Sequence, residues 1–233
     1  MRRKAVIMLD GGYVKKYLED RLGKFPEPGD ILSICAKDIM EHDRLKEAEL
    51  LRIYYYDAPP FEGTSKNPLS GEAIDFGAAP NMGQNKSLMS ALEFEPDVAI
   101  RRGKLKHNGW KLGKRALQNL AKKKDGKVCP KDLVPNFTQK GVDLRIGLDI
   151  AWISIKRIAD ILVLVSGDSD FVPAIKFARR EGMRVYLLGP AKGISMELRQ
   201  HADLVLEPKT PRDPARTQRK TKQPDGSGRN EKP

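Results

Sequence analysis

The chain has 233 residues, 39% of them hydrophobic and 32% charged, enough for one domain with a sizeable core and room for two small lobes. Its 43 Lys and Arg against 31 Asp and Glu leave a formal charge of +12, which favours a polyanionic partner such as nucleic acid over an acidic one, with a merely soluble basic protein as the plain alternative. Two distant cysteines, Cys35 and Cys129, without a CxxC pair, and three histidines without an HExxH pattern argue against a zinc site or a disulfide framework and fit a reducing cytoplasm.

Ala5–Leu9 is a continuous apolar run, as in a strand buried on both faces. Asp10 ends it too early for a signal peptide, and no later apolar stretch could cross a bilayer. Gly11 and Gly12 break the run, and Tyr13–Arg21 reads as a helix. Ile31–His42 reads as a second helix with Asp30 as N-cap. Leu50–Tyr56 is a strand, Phe61–Asn81 a loop and Asn85–Phe94 a short helix. Asp97–Lys106 and Trp110–Leu112 suggest two strands joined by a hairpin turn at His107-Asn108-Gly109. Leu117–Pro135 carries no clear pattern, and its Lys122-Lys123-Lys124 run reads as solvated surface.

Gly141–Ile158 has helical periodicity. Asp160–Ser166 follows as a strand, Phe171–Arg180 as a helix, Met183–Leu188 as a strand, Ser195–His201 as a helix and Asp203–Leu206 as an edge strand. After Glu207 the residues are almost all polar, basic or Pro, so residues 1–207 are expected to form the domain and 208–233 a disordered basic tail. Alternating apolar strands and helices predict an α/β fold, a mostly parallel sheet covered on both faces. Such sheets bind ligands at the carboxyl ends of their strands.

Those ends carry aspartates. Asp10 closes the first strand, and Ser-Gly-Asp-Ser-Asp after the strand Asp160–Ser166 supplies Asp168 and Asp170. On the preceding helix Asp143 and Asp149 flank the apolar stripe Val142, Ile146, Ile150, Ile153. Each has a plain alternative. Asp170 could cap its helix, Asp143 complement the helix dipole, Asp10 serve a turn and Asp149 pair with a buried Arg or Lys. Together, carboxylates converging on one rim repel one another, and a divalent cation relieves that repulsion. Oxygen ligands without His or Cys point to Mg²⁺ or Mn²⁺. Such ions support phosphodiester hydrolysis, so with the basic surface the joint reading is metal-dependent cleavage of nucleic acid.

The stretches VIMLDGGY, QKGVDLRIGLDIAW and ILVLVSGDSDFVPAIKFARREGMRVYLLG resemble the NYN domain, and within it the LabA-like (DUF88) branch related to PIN-domain nucleases. The resemblance implies a PIN-like α/β/α sandwich with a central, mostly parallel sheet, and an endoribonuclease with an acidic metal site. It implies metal ligands at Asp10, Asp143, Asp168 and Asp170, with Asp149 as a ligand or an orienting group. It places Ser166 as the hydroxyl orienting a carboxylate or phosphate. Tyr13 stands where many members carry Asn, and its ring could stack on a base. Further substrate-binding candidates near the rim are Arg101, Arg102, Lys104 and Lys140. The expected partner is RNA, single-stranded or structured, with no membrane; a homodimer is compatible. The alternative function is a non-catalytic RNA- or protein-binding regulatory module, and DNA is a substrate the residues themselves do not exclude.

Overall fold

The apolar runs become strands because each buries both of its faces. In β1 (Lys4–Asp10), Ala5, Ile7 and Leu9 enter one core while Val6 and Met8 enter the other. The structure is a computed structural model that describes residues 2–78, 80–120, 127–190 and 193–208. After β1 come α1 (Gly11–Leu22), α2 (Pro28–Ser33), β2 (Glu49–Asp57), the short strands β3 (Thr64–Lys66) and β4 (Ala73–Asp75), and α3 (Pro80–Leu92). Next are β5 (Val98–Arg102), β6 (Lys104–Leu112), α4 (Lys114–Leu120), β7 (Leu133–Lys140) and α5 (Val142–Ile155). The chain ends in β8 (Ile161–Val165), α6 (Val172–Arg180), β9 (Arg184–Leu188), α7 (Met196–Gln200) and β10 (Leu204–Leu206).

Six strands form one sheet in the order β10-β9-β8-β1-β2-β5, and every pairing in it is parallel. The first helices pack on one face, where Val14, Leu18, Ile31, Ile39 and Leu92 meet the odd residues of β1. Helices α5, α6 and α7 cover the other, where Ile146, Ile150, Ile175 and Leu198 meet the even ones. This is the α/β/α sandwich expected for a PIN-like fold. The inward stripe of α5 is the expected one, with Val142, Ile146, Ile150 and Ile153 all buried. Its outer face leaves Leu144, Leu148, Trp152 and Ile155 each more than half exposed.

Three expectations are corrected. The helix expected over Ile31–His42 is α2 continued by a π-helical stretch over Ile34–Met40. Apolar spacing does not separate the two forms, because Ile34, Cys35 and Ile39 face the core either way. The strand expected over Asp97–Lys106 is divided at Gly103: β5 joins the main sheet and β6 leaves it. The hairpin turn expected at His107-Asn108-Gly109 is absent. β6 runs through these residues and pairs antiparallel with β7, a strand not expected from the sequence, which starts at the end of the stretch without a clear pattern. Gly109 has the left-handed backbone of a turn (φ 79°), but it serves a bulge between His107 and Trp110. The Lys122–Lys124 run and the expected tail from residue 209 onward lie outside the described residues.

α1 starts immediately after β1, so Gly11 lies against the end of β2. A Cβ there would sit 2.8 Å from the Tyr56 carbonyl oxygen and 2.9 Å from Asp57 Cβ, whereas at Gly12 it would meet only Asp10 Oδ1 at 3.5 Å. Alanine normally gains about 1 kcal/mol over glycine inside a helix. Gly11→Ala is expected to reverse that sign and to destabilise by about 1–3 kcal/mol through overpacking. Gly12→Ala should be neutral or stabilising. Urea unfolding of both variants checks the pair, and equal midpoints would contradict the close approach at Gly11.

Candidate active site

The connections of the sheet diverge between β1 and β8. From β1 the chain passes through α1 and α2 to β2 on one side, and from β8 through α6 to β9 on the other. A crevice opens at the carboxyl ends of strands where this happens. Asp10 is the last residue of β1, and Ser166 directly follows β8. The Ser166 hydroxyl, fully buried, donates to Asp10 Oδ2 at 3.1 Å and accepts the Asp168 backbone N–H at 3.3 Å. The Tyr13 backbone N–H donates to Asp10 Oδ1 at 3.3 Å, so Asp10 is also the N-cap of α1. One hydroxyl thus ties together the two strand ends that carry acids.

Asp168 Oδ1 accepts the Asp170 backbone N–H at 3.0 Å and caps the short 3-10 turn Ser169–Phe171 that opens α6. The plain alternative for Asp170 was a helix cap; the capping residue is Asp168, and Asp170 lies inside the turn. Asp143 is the second residue of α5, just beyond Gly141, whose φ of 79° swings the chain out of β7 into the helix. Partial burial lifts the Asp143 carboxyl above its ordinary 3.8, and the charges of Asp168 and then Asp170 lift it further. Burial also lifts Asp10; hydrogen bonds from Tyr13 and Ser166 oppose this, and the Asp143 charge adds to it. Asp143 is therefore the electrostatic link between Asp10 and the Asp168 loop.

None of these four carboxylates forms an ion pair among the described residues. Other acids at the same edge do. Asp149 accepts the Tyr56 hydroxyl at 2.8 Å and Arg101 Nε at 3.1 Å. Of the readings left open for Asp149, pairing with an arginine is what the structure shows, and its partners belong to β2 and β5 rather than to the Asp10 group. Asp57, at the end of β2, is buried and held by Lys15 Nζ at 2.6 Å. It was missed in the sequence, although its place one residue beyond the apolar strand Leu50–Tyr56 was a usable signal.

The expected substrate contacts divide in the same way. Arg101 pairs with Asp149 and lies over the Tyr54 ring, and Arg102 pairs with Glu93 at 2.7 Å. Lys104 and Lys140 form no ion pair among the described residues and stand directly opposite each other on β6 and β7. Tyr13 does not stand free as a platform for a base. Its ring lies parallel to Tyr17 with centroids 6.4 Å apart, and its buried hydroxyl has no hydrogen-bond partner among the described residues. Burial first, then the charge of Asp10, pushes that hydroxyl up to about 12, so it stays protonated.

A hard dication takes carboxylate oxygens, and an all-carboxylate set whose members repel one another without a protein cation fits Mg²⁺ or Mn²⁺ by donor chemistry. The set is not a closed cage. Among the described residues no three His, Cys, Asp or Glu side chains gather closely enough to hold an ion by themselves.

Comparison with known proteins meets this geometry at its later half. The family model for the NYN domain matches residues 103–207. The NYN family belongs to the PIN-like nuclease superfamily. The matched span contains Asp143, Asp149, Ser166, Asp168 and Asp170, together with Lys104 and Lys140; Asp10 and Tyr13 lie outside it. Similar curated proteins are the uncharacterized protein y4oD of Sinorhizobium fredii, 43% identical over 72 residues, and the uncharacterized protein MJ0482 of Methanocaldococcus jannaschii, 30% identical over 73 residues. These matches cover 30% and 31% of this chain, and 34% and 30% of those proteins, so the chain spans about a third of the length of the curated relatives it matches. A protein of unknown function from Vibrio parahaemolyticus has a solved structure similar at a TM-score of 0.48 and 16% identity, over 88% of this chain and 93% of that one. No helix among the described residues is long and apolar enough to cross a membrane.

Because the folded chain holds a proton on Asp10 and Asp143 more tightly than the unfolded chain, their stabilising contribution is complete below the ordinary value of 3.8 and is lost as pH rises through the raised ones. Asp10→Asn removes the charge and keeps a carbonyl acceptor for the Tyr13 N–H. It is expected to melt at or above the wild-type temperature at neutral pH, with the advantage disappearing in acid. Thermal melts by circular dichroism across that pH range check this. A variant that melts well below wild type at neutral pH would contradict it.

Proposed function

We propose that this chain is a divalent-metal-dependent endoribonuclease that hydrolyses RNA phosphodiester bonds at the crevice between β1 and β8. The observation that carries the reading is a rim of four acids, in which Ser166 ties Asp10 to the Asp168 loop and Asp143 feels the charges of Asp168 and Asp170 and acts on Asp10, none of them with an ion pair among the described residues, while Asp57 and Asp149 at the same edge are neutralised. The NYN match over residues 103–207 supports a nuclease-type chemistry for this arrangement. RNA rather than DNA, and the LabA-like branch, rest on the motif resemblance. The setting proposed is cytoplasmic. The NYN-type domain is proposed to occupy residues 1–207, followed by a basic extension. A homodimer would use the exposed stripe of α5.

Asp10, Asp143, Asp168 and Asp170 would hold Mg²⁺ or Mn²⁺, which when bound neutralises the phosphate charge and lowers the pKa of the attacking water. The chain's own groups set the stage. Tyr13 N–H and Ser166 O–H fix the two oxygens of Asp10, and the Asp170 N–H fixes Asp168. Asp149, through Tyr56 and Arg101, ties α5 to β2 and β5 and so positions Asp143 at the head of the helix. Lys104 and Lys140, which face each other at the ribbon's end next to α5, would hold the phosphates that flank the scissile one. A non-catalytic RNA-binding module is the second reading, and the lack of a closed three-ligand cage among the described residues favours it.

Labelled single-stranded RNA and DNA, incubated with the protein and Mg²⁺, Mn²⁺ or EDTA, decide between them. Cleavage of RNA with metal and none with EDTA is expected; no cleavage under any condition would sink the nuclease reading. Asp168→Asn keeps the capping acceptor and the melting temperature and is expected to abolish cleavage. Ser166→Ala, which unties the two strand ends, should slow it by about 10–100-fold.

A further inference from the structure

β6 and β7 form a two-stranded antiparallel ribbon outside the main sheet. An isolated ribbon of this size is marginal in water. This one is anchored by its inner face. His107 and Phe137 lie 5.2 and 5.1 Å from the Phe76 ring, Phe61 lies 5.7 Å from both, and Trp110 Nε1 donates to Ser65 Oγ of β3 at 3.1 Å. That anchor turns the other face to solvent. Lys104, Lys106, Asn108 and Lys111 project there from β6, and Thr138 and Lys140 from β7. The bulge keeps the set together. Without it, Lys111 would share the face of His107; the extra residue puts Trp110 inward instead and Lys111 outward.

The face is strongly one-signed. Neither strand contains an Asp or Glu. None of its four lysines forms an ion pair among the described residues, whereas Lys24, Lys46 and Lys86 on other surfaces each do. Lys104 stands directly across from Lys140, a like-charge pairing that costs stability in a bare ribbon. A chain of phosphates removes that cost. Lys104 and Lys106 recur at about 6.6 Å along the strand. Asn108 and Thr138, joined by a 2.7 Å hydrogen bond, add polar groups between the charges. A surface built to enter a membrane needs large apolar side chains beside its cations, and this face offers only Val134. The root of the ribbon is the candidate site: Lys140 leads through Gly141 into α5, three residues before Asp143, and Gly103 packs against Val142.

We propose that the outer face of the β6–β7 ribbon is a strand guide that binds the phosphate backbone of single-stranded nucleic acid and delivers it to the acidic crevice. Delivery rests on the nuclease reading; binding does not. The test uses the full chain and a labelled oligouridylate, with anisotropy read over a salt series in EDTA so that cleavage does not intervene. Replacing Lys104, Lys106, Lys111 and Lys140 together by Gln is expected to weaken binding at low salt at least tenfold. The slope of log K against log salt should drop by close to three, at about 0.7 for each single-strand phosphate that a lysine no longer neutralises. The fourfold Arg variant should keep both. If the fourfold Gln variant does not fold, the single Gln variants serve, each expected to lower the slope by about 0.7. Gln variants with wild-type affinity and slope would overturn the guide. Lysine-dependent capture of phosphatidylglycerol vesicles in place of RNA would also overturn it. A wild type that binds in a lysine-dependent way but never cleaves with Mn²⁺ would leave the guide standing and overturn the nuclease reading. A Gln variant that binds and cleaves as wild type does would do the reverse.

Discussion

The hydrogen bond from Ser166 to Asp10 can exist only because β1 and β8 are neighbours in the sheet although 156 residues separate the bonded pair. Everything at the candidate site depends on that adjacency. β1 holds the centre of the sheet, paired with β2 on one side and β8 on the other. The chain therefore needs one set of crossovers to build the first half and another to build the second. The connections lead away to opposite sides above the two strand ends, and the gap between them lies there. Burial there does cost the Asp10 carboxylate, and the hydrogen bonds from Tyr13 and Ser166 offset part of that cost.

Charge is then sorted around that gap. Asp57 and Asp149 occupy the side toward β2 and β5, and each is met by a cation on an element the fold already packs there: Lys15 on α1 and Arg101 on β5. A carboxylate without such a partner titrates upward when it is partly desolvated or set beside other acids, and Asp10 and Asp143 do. The lysines of the ribbon stand on its outer face, while its inner face belongs to the aromatic cluster. Among the described residues, acids without an ion pair line the rim and lysines without one line the adjoining ribbon, a pattern that suits a ligand carrying phosphates and bringing or recruiting a cation.

Much of this could be read from the sequence, because the central strands are buried on both faces and their apolar runs have no competing pattern. The stripe Val142, Ile146, Ile150, Ile153 was equally plain, since one helix face packs on one sheet. The ribbon was not legible. Its inner face is aromatic and intermittent, its partner strand lies twenty residues away across an unpatterned stretch, and Asn108-Gly109 has the chemistry of a turn as much as of a bulge. Pairing decided between them, and pairing is a long-range fact. The partners of Asp149 were hidden for the same reason: Tyr56 and Arg101 reach it from strands that local periodicity cannot place beside α5.

The capping geometry bears directly on whether the aspartates can hold an ion. An ionised carboxylate offers about four lone-pair sites on its two oxygens. Asp10 commits one on Oδ1 to the Tyr13 N–H and one on Oδ2 to the Ser166 hydroxyl, and Asp168 commits one on Oδ1 to the Asp170 N–H. Even with the further backbone bond from Gly12 to Asp10, each carboxylate retains at least one free site. Capping a helix and coordinating a cation are therefore not rival explanations of the same residue. The cap bonds restrict the carboxylate's rotation without exhausting it as a ligand, and they lower the ordering entropy that binding an ion would otherwise cost. A strand end that continues at once into a capped helix, as Asp10 does into α1 and Asp168 does toward α6, delivers a carboxylate already oriented.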